Sequence, residues 1–153
     1  MSINLAIQQK KFKNEQEKVL VNLMYTSGWL NSLQVKFFKQ FNLSPQQYNV
    51  LRILRGQQPK SICVGDIQER MLDKMSNASR LVDKLLQRNL VRRDTCNKDR
   101  RRMDVCITDE GMKLLDQIDE EHVTYILQLI TIDELEAQNL NTLLDKLRTH
   151  NHK

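Results

Sequence analysis

The sequence predicts a mostly α-helical chain carrying one small β-hairpin, and three observations point there. Only four Gly and two Pro stand in 153 residues, too few turn residues for an all-β chain, while 40% apolar content supports a packed core. Ala78, Leu81, Val82, Leu85 and Leu86 recur at helical spacing and form one apolar stripe. Directly after it, Leu90 to Thr95 and Met103 to Thr108 read as two strands, with Met103, Val105 and Ile107 on one face by period two. The length fits one domain, or one compact lobe plus elements that pack elsewhere.

Taken in order, residues 12–41 contain no proline, and Leu20, Leu23, Ser27, Leu30, Gln34, Phe37 and Phe41 alternate in steps of three and four. This is one long helix with a coiled-coil-like stripe. Val19, Met24 and Trp29 widen its apolar surface beyond what a small core can cover, and a partner subunit is the simplest cover. Ser27 and Gly28 form a pair of low bulk at which helices bend. It reads first as a packing accommodation and second as room for a ligand beside Tyr25 and Trp29.

Ser44, Pro45 and Gln47 open the next helix as N-cap, first helical residue and capping-box partner. Val64, Ile67, Met71 and Leu72 mark a short third helix, and a turn at Asp73 to Met75 joins it to the stripe at Ala78 to Leu86, making a helix-turn-helix. The face opposite that stripe carries Ser76, Asn77, Ser79, Arg80, Asp83, Lys84 and Gln87. Short hydroxyl, amide and cationic groups of this kind suit base edges and phosphates in a major groove. Asn89 stands where the helix must stop and tolerates the left-handed conformation of a C′ position. Arg100, Arg101 and Arg102 crowd the hairpin turn, where Asp99 can organise them. Thr108 caps a helix through Met112, Leu115, Ile118, His122, Ile126 and Leu129, with Asp109 and Glu110 at its positive end. Thr131 to Glu134 reads as a capping box for a last helix with Leu140, Leu143, Leu144 and Leu147.

A recognition helix followed by an arginine-tipped hairpin is the outline of a winged helix. Asp99-Arg100-Arg101, then Val105-Cys106-Ile107-Thr108 and Gly111, closely resembles the wing signature of the MarR (multiple antibiotic resistance regulator) family of bacterial repressors. Arg80 to Leu85, RLVDKL, is similar to that family's recognition-helix core. The likeness runs from about Leu43 to Gly111. It implies a winged helix-turn-helix with N- and C-terminal dimerisation helices: 1–42 and 112–153 for dimerisation, 43–111 for DNA binding. It further implies Arg100 and Arg101 as wing arginines and Asp83 as the acidic partner of one of them, Arg101 being the candidate. Asp83 alternatively reads as an ordinary exposed helix charge. Two departures stand out: the family often has glycine in the helix-turn-helix turn and at the position of Asn89, and this chain has neither.

Between Lys60 and Asp104 twelve Lys/Arg face seven Asp/Glu, a surplus equal to the net charge of +5 for the whole chain. A neutral body with a basic middle is the footprint expected of a polyanion partner, although charge taken alone reads first as solvated faces. The partners expected are double-stranded DNA carrying a palindromic operator, a second copy of the chain, and a small hydrophobic or anionic effector. The DNA-binding set is Ser76, Asn77, Ser79, Arg80, Lys84, Arg100, Arg101 and Arg102, with Asp83 and Asp99 positioning the wing. No hydrolase elbow, P-loop, dinucleotide fingerprint or metal-ligand spacing is present, so neither an enzyme nor a cofactor nor a metal is expected. Cys63, Cys96 and Cys106 form an odd set without a CxxC pair, which favours reduced thiols in the cytoplasm. The first residues lack the long apolar h-region of a signal peptide and no apolar run approaches the ~20 residues needed to span a bilayer, so a soluble, intracellular chain is expected. The function expected is a sequence-specific repressor released by a ligand. The alternatives are a redox-responsive repressor using Cys96, whose neighbours Arg92, Arg93 and Arg100 would favour its thiolate, and an unregulated structural DNA binder.

Overall fold

The computed structural model describes residues 1–95 and 103–149. The chain divides into two compact units, Met1–Leu115 and Asp116–Lys153. The first holds α1 (Ile3–Ala6), α2 (Glu15–Lys39), α3 (Pro45–Arg55), β1 (Ile62–Cys63), α4 (Val64–Arg70), α5 (Ala78–Leu86), β2 (Val91–Thr95), β3 (Met103–Ile107) and the start of α6 (Asp109–Leu129). The second holds the rest of α6 and α7 (Glu134–Thr149).

The long helix α2 starts at the N-cap Asn14, whose side chain accepts the Glu17 N–H, and runs unbroken through Ser27 and Gly28. Only Phe37 and Phe38 of its 25 residues are buried. It ends on Asn42 in the left-handed region (φ 53°), with Leu43 N–H returning to Phe38 O and Asn42 N–H to Lys39 O. That pair of bonds is a Schellman motif, which satisfies the last carbonyls of the helix. The expected capping box is present in both halves: Ser44 Oγ accepts the Gln47 N–H at 3.1 Å, and Gln47 Oε1 accepts the Ser44 N–H at 2.8 Å.

The core of the first unit lies between α3, α4, α5 and the sheet, and is filled by Val50, Leu51, Leu54, Ile67, Met71, Val82, Leu85 and Val105. The sequence pattern puts Leu72 in the short third helix with Met71, facing the same core as the stripe of α5. The structure corrects that: α4 ends at Arg70, Met71 turns extended (φ −62°, ψ 142°), and Leu72 points out at 88% exposure. The hairpin also gains a third strand. β1 pairs antiparallel with β3, Ile62 opposite Val105, in the order β1-β3-β2. Two residues are too few to show a period, which is why β1 left no sequence signal. The four-residue α1 is likewise invisible to periodicity.

In the second unit α7 buries none of its residues. Its N-terminal capping box lies two residues beyond the expected one: Asp133 Oδ1 accepts the Glu136 N–H and Glu136 Oε2 accepts the Asp133 N–H. Aspartate, with a charged acceptor near the positive helix end, prevails over Thr131. No helix of the described residues is long and apolar enough to cross a membrane.

Candidate nucleic-acid interface

α5 divides cleanly between packing and exposure. Ala78, Val82 and Leu85 are buried and Leu81 and Leu86 half-buried, whereas Ser79, Arg80, Asp83, Lys84 and Gln87 are exposed. Its start is Asn77, whose Oδ1 accepts the Arg80 N–H at 3.0 Å and whose carbonyl accepts the Leu81 N–H. Its end is Asn89 (φ 56°), with Leu90 N–H returning to Leu85 O and Asn89 N–H to Leu86 O, the same Schellman closure as on α2. Asparagine thus does at this position what glycine does elsewhere.

The turn Met71–Asn77 needs no glycine either, because none of its residues has a positive φ. Its polar backbone groups are instead bound by side chains. Asn49, from α3, accepts the Leu72 N–H at 2.9 Å. Asp73 accepts the Met75 N–H at 3.0 Å and the Ser76 hydroxyl at 2.6 Å. Gln68, from α4, accepts the Ala78 N–H at 2.9 Å and donates to the Lys74 carbonyl at 3.0 Å. Ser76 and Asn77 therefore precede the helix and serve the turn and the cap, so that of the expected α5 contacts Ser79, Arg80 and Lys84 are the ones exposed on the helix itself.

The hydrogen bond from the Ser76 hydroxyl, and after it that from the Met75 N–H, holds the Asp73 carboxyl below the ordinary aspartate value. A depressed folded-state pKa means that the charged form's contribution is present above the unfolded value and lost as pH falls through the folded one. The Met75 amide resonance is therefore expected to titrate with a midpoint below that of a free aspartate, and Asp73→Asn to abolish the step. A midpoint at or above the free value would contradict the turn geometry.

From the sheet, Arg93 of β2 forms an ion pair with Asp83 of α5 at 2.5 Å. The acidic partner role expected of Asp83 is thus filled on the strand by Arg93; Arg101, the expected partner, lies outside the described residues, as do Cys96, Asp99, Arg100 and Arg102. The pair is half-exposed on both sides, so its worth is geometric register more than stability, ~0–1 kcal/mol. Arg88, at the other end of α5, donates to the carbonyls of Asn42 at 2.6 Å and Phe41 at 3.2 Å, tying the end of α5 to the end of α2. Gln68, Asn49 and Arg88 carried no sequence signal, since each acts on backbone that is remote in sequence or defined only once the turn forms.

The start of α6 closes on the end of α5. Thr108 Oγ1 donates to Asn89 O at 2.7 Å and accepts the Gly111 N–H at 3.1 Å, and Thr108 N–H donates to Leu90 O. A Cβ on Gly111 would stand 2.2 Å from Leu90 O and 2.7 Å from Ile107 Cγ1, so this position admits only glycine as it stands. In β3, Val105 and Ile107 face the core as the period-two reading required, while Cys106 on the other face accepts the Arg92 Nε–H at 2.9 Å. Cys63 accepts the Asp66 N–H as N-cap of α4. Tyr25 and Trp29 lie exposed on α2, and a Cβ on neighbouring Gly28 would meet nothing within 4 Å, so no contact within the described chain requires a glycine there.

A helix-turn-helix with one clear polar face, backed by an antiparallel sheet whose β2 is ion-paired to that helix, defines a winged helix-turn-helix of the DNA-binding class. Comparison with known proteins agrees. The MarR family model matches residues 43–103. The HTH-type transcriptional regulator PecS of Dickeya dadantii (strain 3937) is 27% identical over 150 residues, 92% of this chain and 90% of that protein. A MarR transcription factor from Planctomyces limnophilus is 31% identical in its crystal structure, with a TM-score of 0.65 over 90% of this chain and 98% of the other. The Staphylococcus aureus MepR–DNA complex shares the fold, with a TM-score of 0.72 at 18% identity over 86% of this chain and 95% of that one. The chain belongs to the MarR family: it is a DNA-binding transcriptional regulator and not an enzyme.

Proposed function

We propose that this regulator is a homodimeric repressor that grips a palindromic operator with two copies of α5 and is released by a small hydrophobic or anionic effector. The observation that carries the reading is the outward face of α5, where Ser79, Arg80 and Lys84 are exposed on a helix that Arg93 of β2 holds by its ion pair with Asp83. The arginines Arg100, Arg101 and Arg102 are its expected wing contacts and Asp99 their organiser. Dimerisation is supported by apolar side chains left uncovered: Val19, Leu20 and Met24 on α2, and Leu140, Leu143 and Leu147 on α7. Residues 1–42 and 112–153 are accordingly assigned to dimerisation and 43–111 to DNA. The open surface at Gly28, flanked by Tyr25 and Trp29, is the place assigned to the effector.

In such a dimer the two recognition helices enter successive major grooves about 34 Å apart, so the operator is an inverted repeat. The test combines sedimentation at micromolar concentration with binding to duplex DNA taken from immediately upstream of the coding sequence. A dimer protecting an inverted repeat is expected. A monomer that still binds the same DNA as a monomer would sink the proposal.

A further inference from the structure

We propose that Gln68 is a positioning residue for DNA recognition, its side-chain amide spanning the helix-turn-helix turn and fixing the pitch at which α5 presents Ser79 and Arg80. The proposal rests on the reading of α5 as the DNA-reading helix.

Gln68 is half-buried on α4, next to the fully buried Ile67, so its backbone is anchored in the core. Its Oε1 accepts the Ala78 N–H at 2.9 Å while its Nε2 donates to the Lys74 carbonyl at 3.0 Å. An amide offers an acceptor and a donor on one planar head. Ala78 offers here only an N–H and Lys74 only a carbonyl, so the reversed orientation would set donor against donor and acceptor against acceptor. The two bonds therefore fix where the last part of the turn lies relative to the first residue of α5.

No other side chain among the described residues makes this tie. Asn49 holds Leu72 at the start of the turn, Asp73 holds Met75 and Ser76 within it, and Asn77 caps α5 from its own segment. None of these bonds α4 to the first turn of α5. Of the first four amides of α5, Gln68 takes Ala78, and Asn77 takes Arg80 and Leu81 through its side chain and carbonyl. Only the Ser79 N–H is left without an intramolecular acceptor among the described residues, and the Ser79 side chain is exposed. Base readout tolerates positional error of only about 0.5 Å, and the buried stripe of α5 fixes its rotation about its own axis better than the tilt of its free end. The Gln68 amide controls that tilt.

The probe is the duplex that the wild-type protein enriches from a random-sequence library, compared with a random duplex of equal length. Gln68→Met keeps the length of the side chain and removes both bonds. It should weaken the enriched duplex about tenfold, in keeping with the loss of two hydrogen bonds at a reading helix, and change the random duplex by less than about twofold, since phosphate contacts are kept. Hydrogen exchange at the Ala78 amide should quicken while the Leu85 amide, deep in α5, stays protected. Gln68→Ala, a better helix former, gives the same comparison if the methionine variant does not fold. An unchanged ratio between the two duplexes, or a loss equal on both that follows a lowered melting temperature, would overturn the positioning role. If the wild type enriches no sequence at all, the reading of α5 fails first and takes this proposal with it.

Discussion

Gly111→Ala should destabilise the folded chain by about 3 kcal/mol or more, the upper range for overpacking a site that cannot yield. The added Cβ would stand 2.2 Å from Leu90 O, a backbone atom that cannot swing aside as a side-chain tip does. Leu90 O accepts the Thr108 N–H, and the neighbouring Asn89 O accepts the Thr108 hydroxyl, so a shift of this strand entry breaks the bonds that seat α6 on the end of α5. Leu90 is itself buried, and its N–H closes the Schellman turn on Leu85. Gly56→Ala is the matched control, because its Cβ would meet only ordinary contacts at 3.5 and 3.6 Å from Arg52 O and Ile53 O. Urea unfolding of both variants gives the comparison. A Gly111→Ala midpoint within error of the wild type would show that the approach of Gly111 to Leu90 is wrong.

Ser79→Ala and Arg80→Ala should leave the melting temperature almost unchanged yet each cost about 1 to 3 kcal/mol on the preferred operator, as expected for a lost base contact. Both side chains are exposed, and among the described residues neither is engaged by another side chain. Surface changes of this kind usually move stability by less than ~0.5 kcal/mol. Asn77→Ala is a poorer probe, because it removes the cap on Arg80 N–H and so costs helix stability of about 1 kcal/mol on its own account. Binding titrations on operator and random duplexes, with thermal melts of each variant, separate the two effects. Equal weakening on both DNAs would mean that these groups meet phosphates and that sequence is read elsewhere.

How much of this was legible beforehand follows the distance over which each feature acts. The stripe of α5, the Ser44–Gln47 box, the Thr108 cap and the left-handed Asn89 are local, each decided within about one turn of helix by spacing and side-chain chemistry. They emerge in the structure where the sequence placed them. What escaped were ties across the chain: Asn49 to Leu72, Arg88 to Asn42 and Phe41, and the approach of Gly111 to Leu90. Asp83 was legible as half of an ion pair, but its described partner is Arg93 of β2, since choosing among several basic residues requires the register of the strands. Leu72 was misplaced because an apolar residue next to Met71 continues a helical pattern that the backbone abandons one residue earlier.

The split of α5 into a packed side and an idle side also bears on how such a regulator diverges. Ser79, Arg80, Lys84 and Gln87 can be exchanged without touching Ala78, Val82 or Leu85, so on the proposed reading of α5 a descendant acquires a new operator in a few substitutions while its core stays as it was. Asp83 is the exception on that side. It is bound to Arg93, and a lineage that changed it would loosen the strand from the helix. Divergence of target should therefore concentrate at the four idle positions and pass over the fifth, a pattern that sequencing of duplicated copies within one genome could reveal.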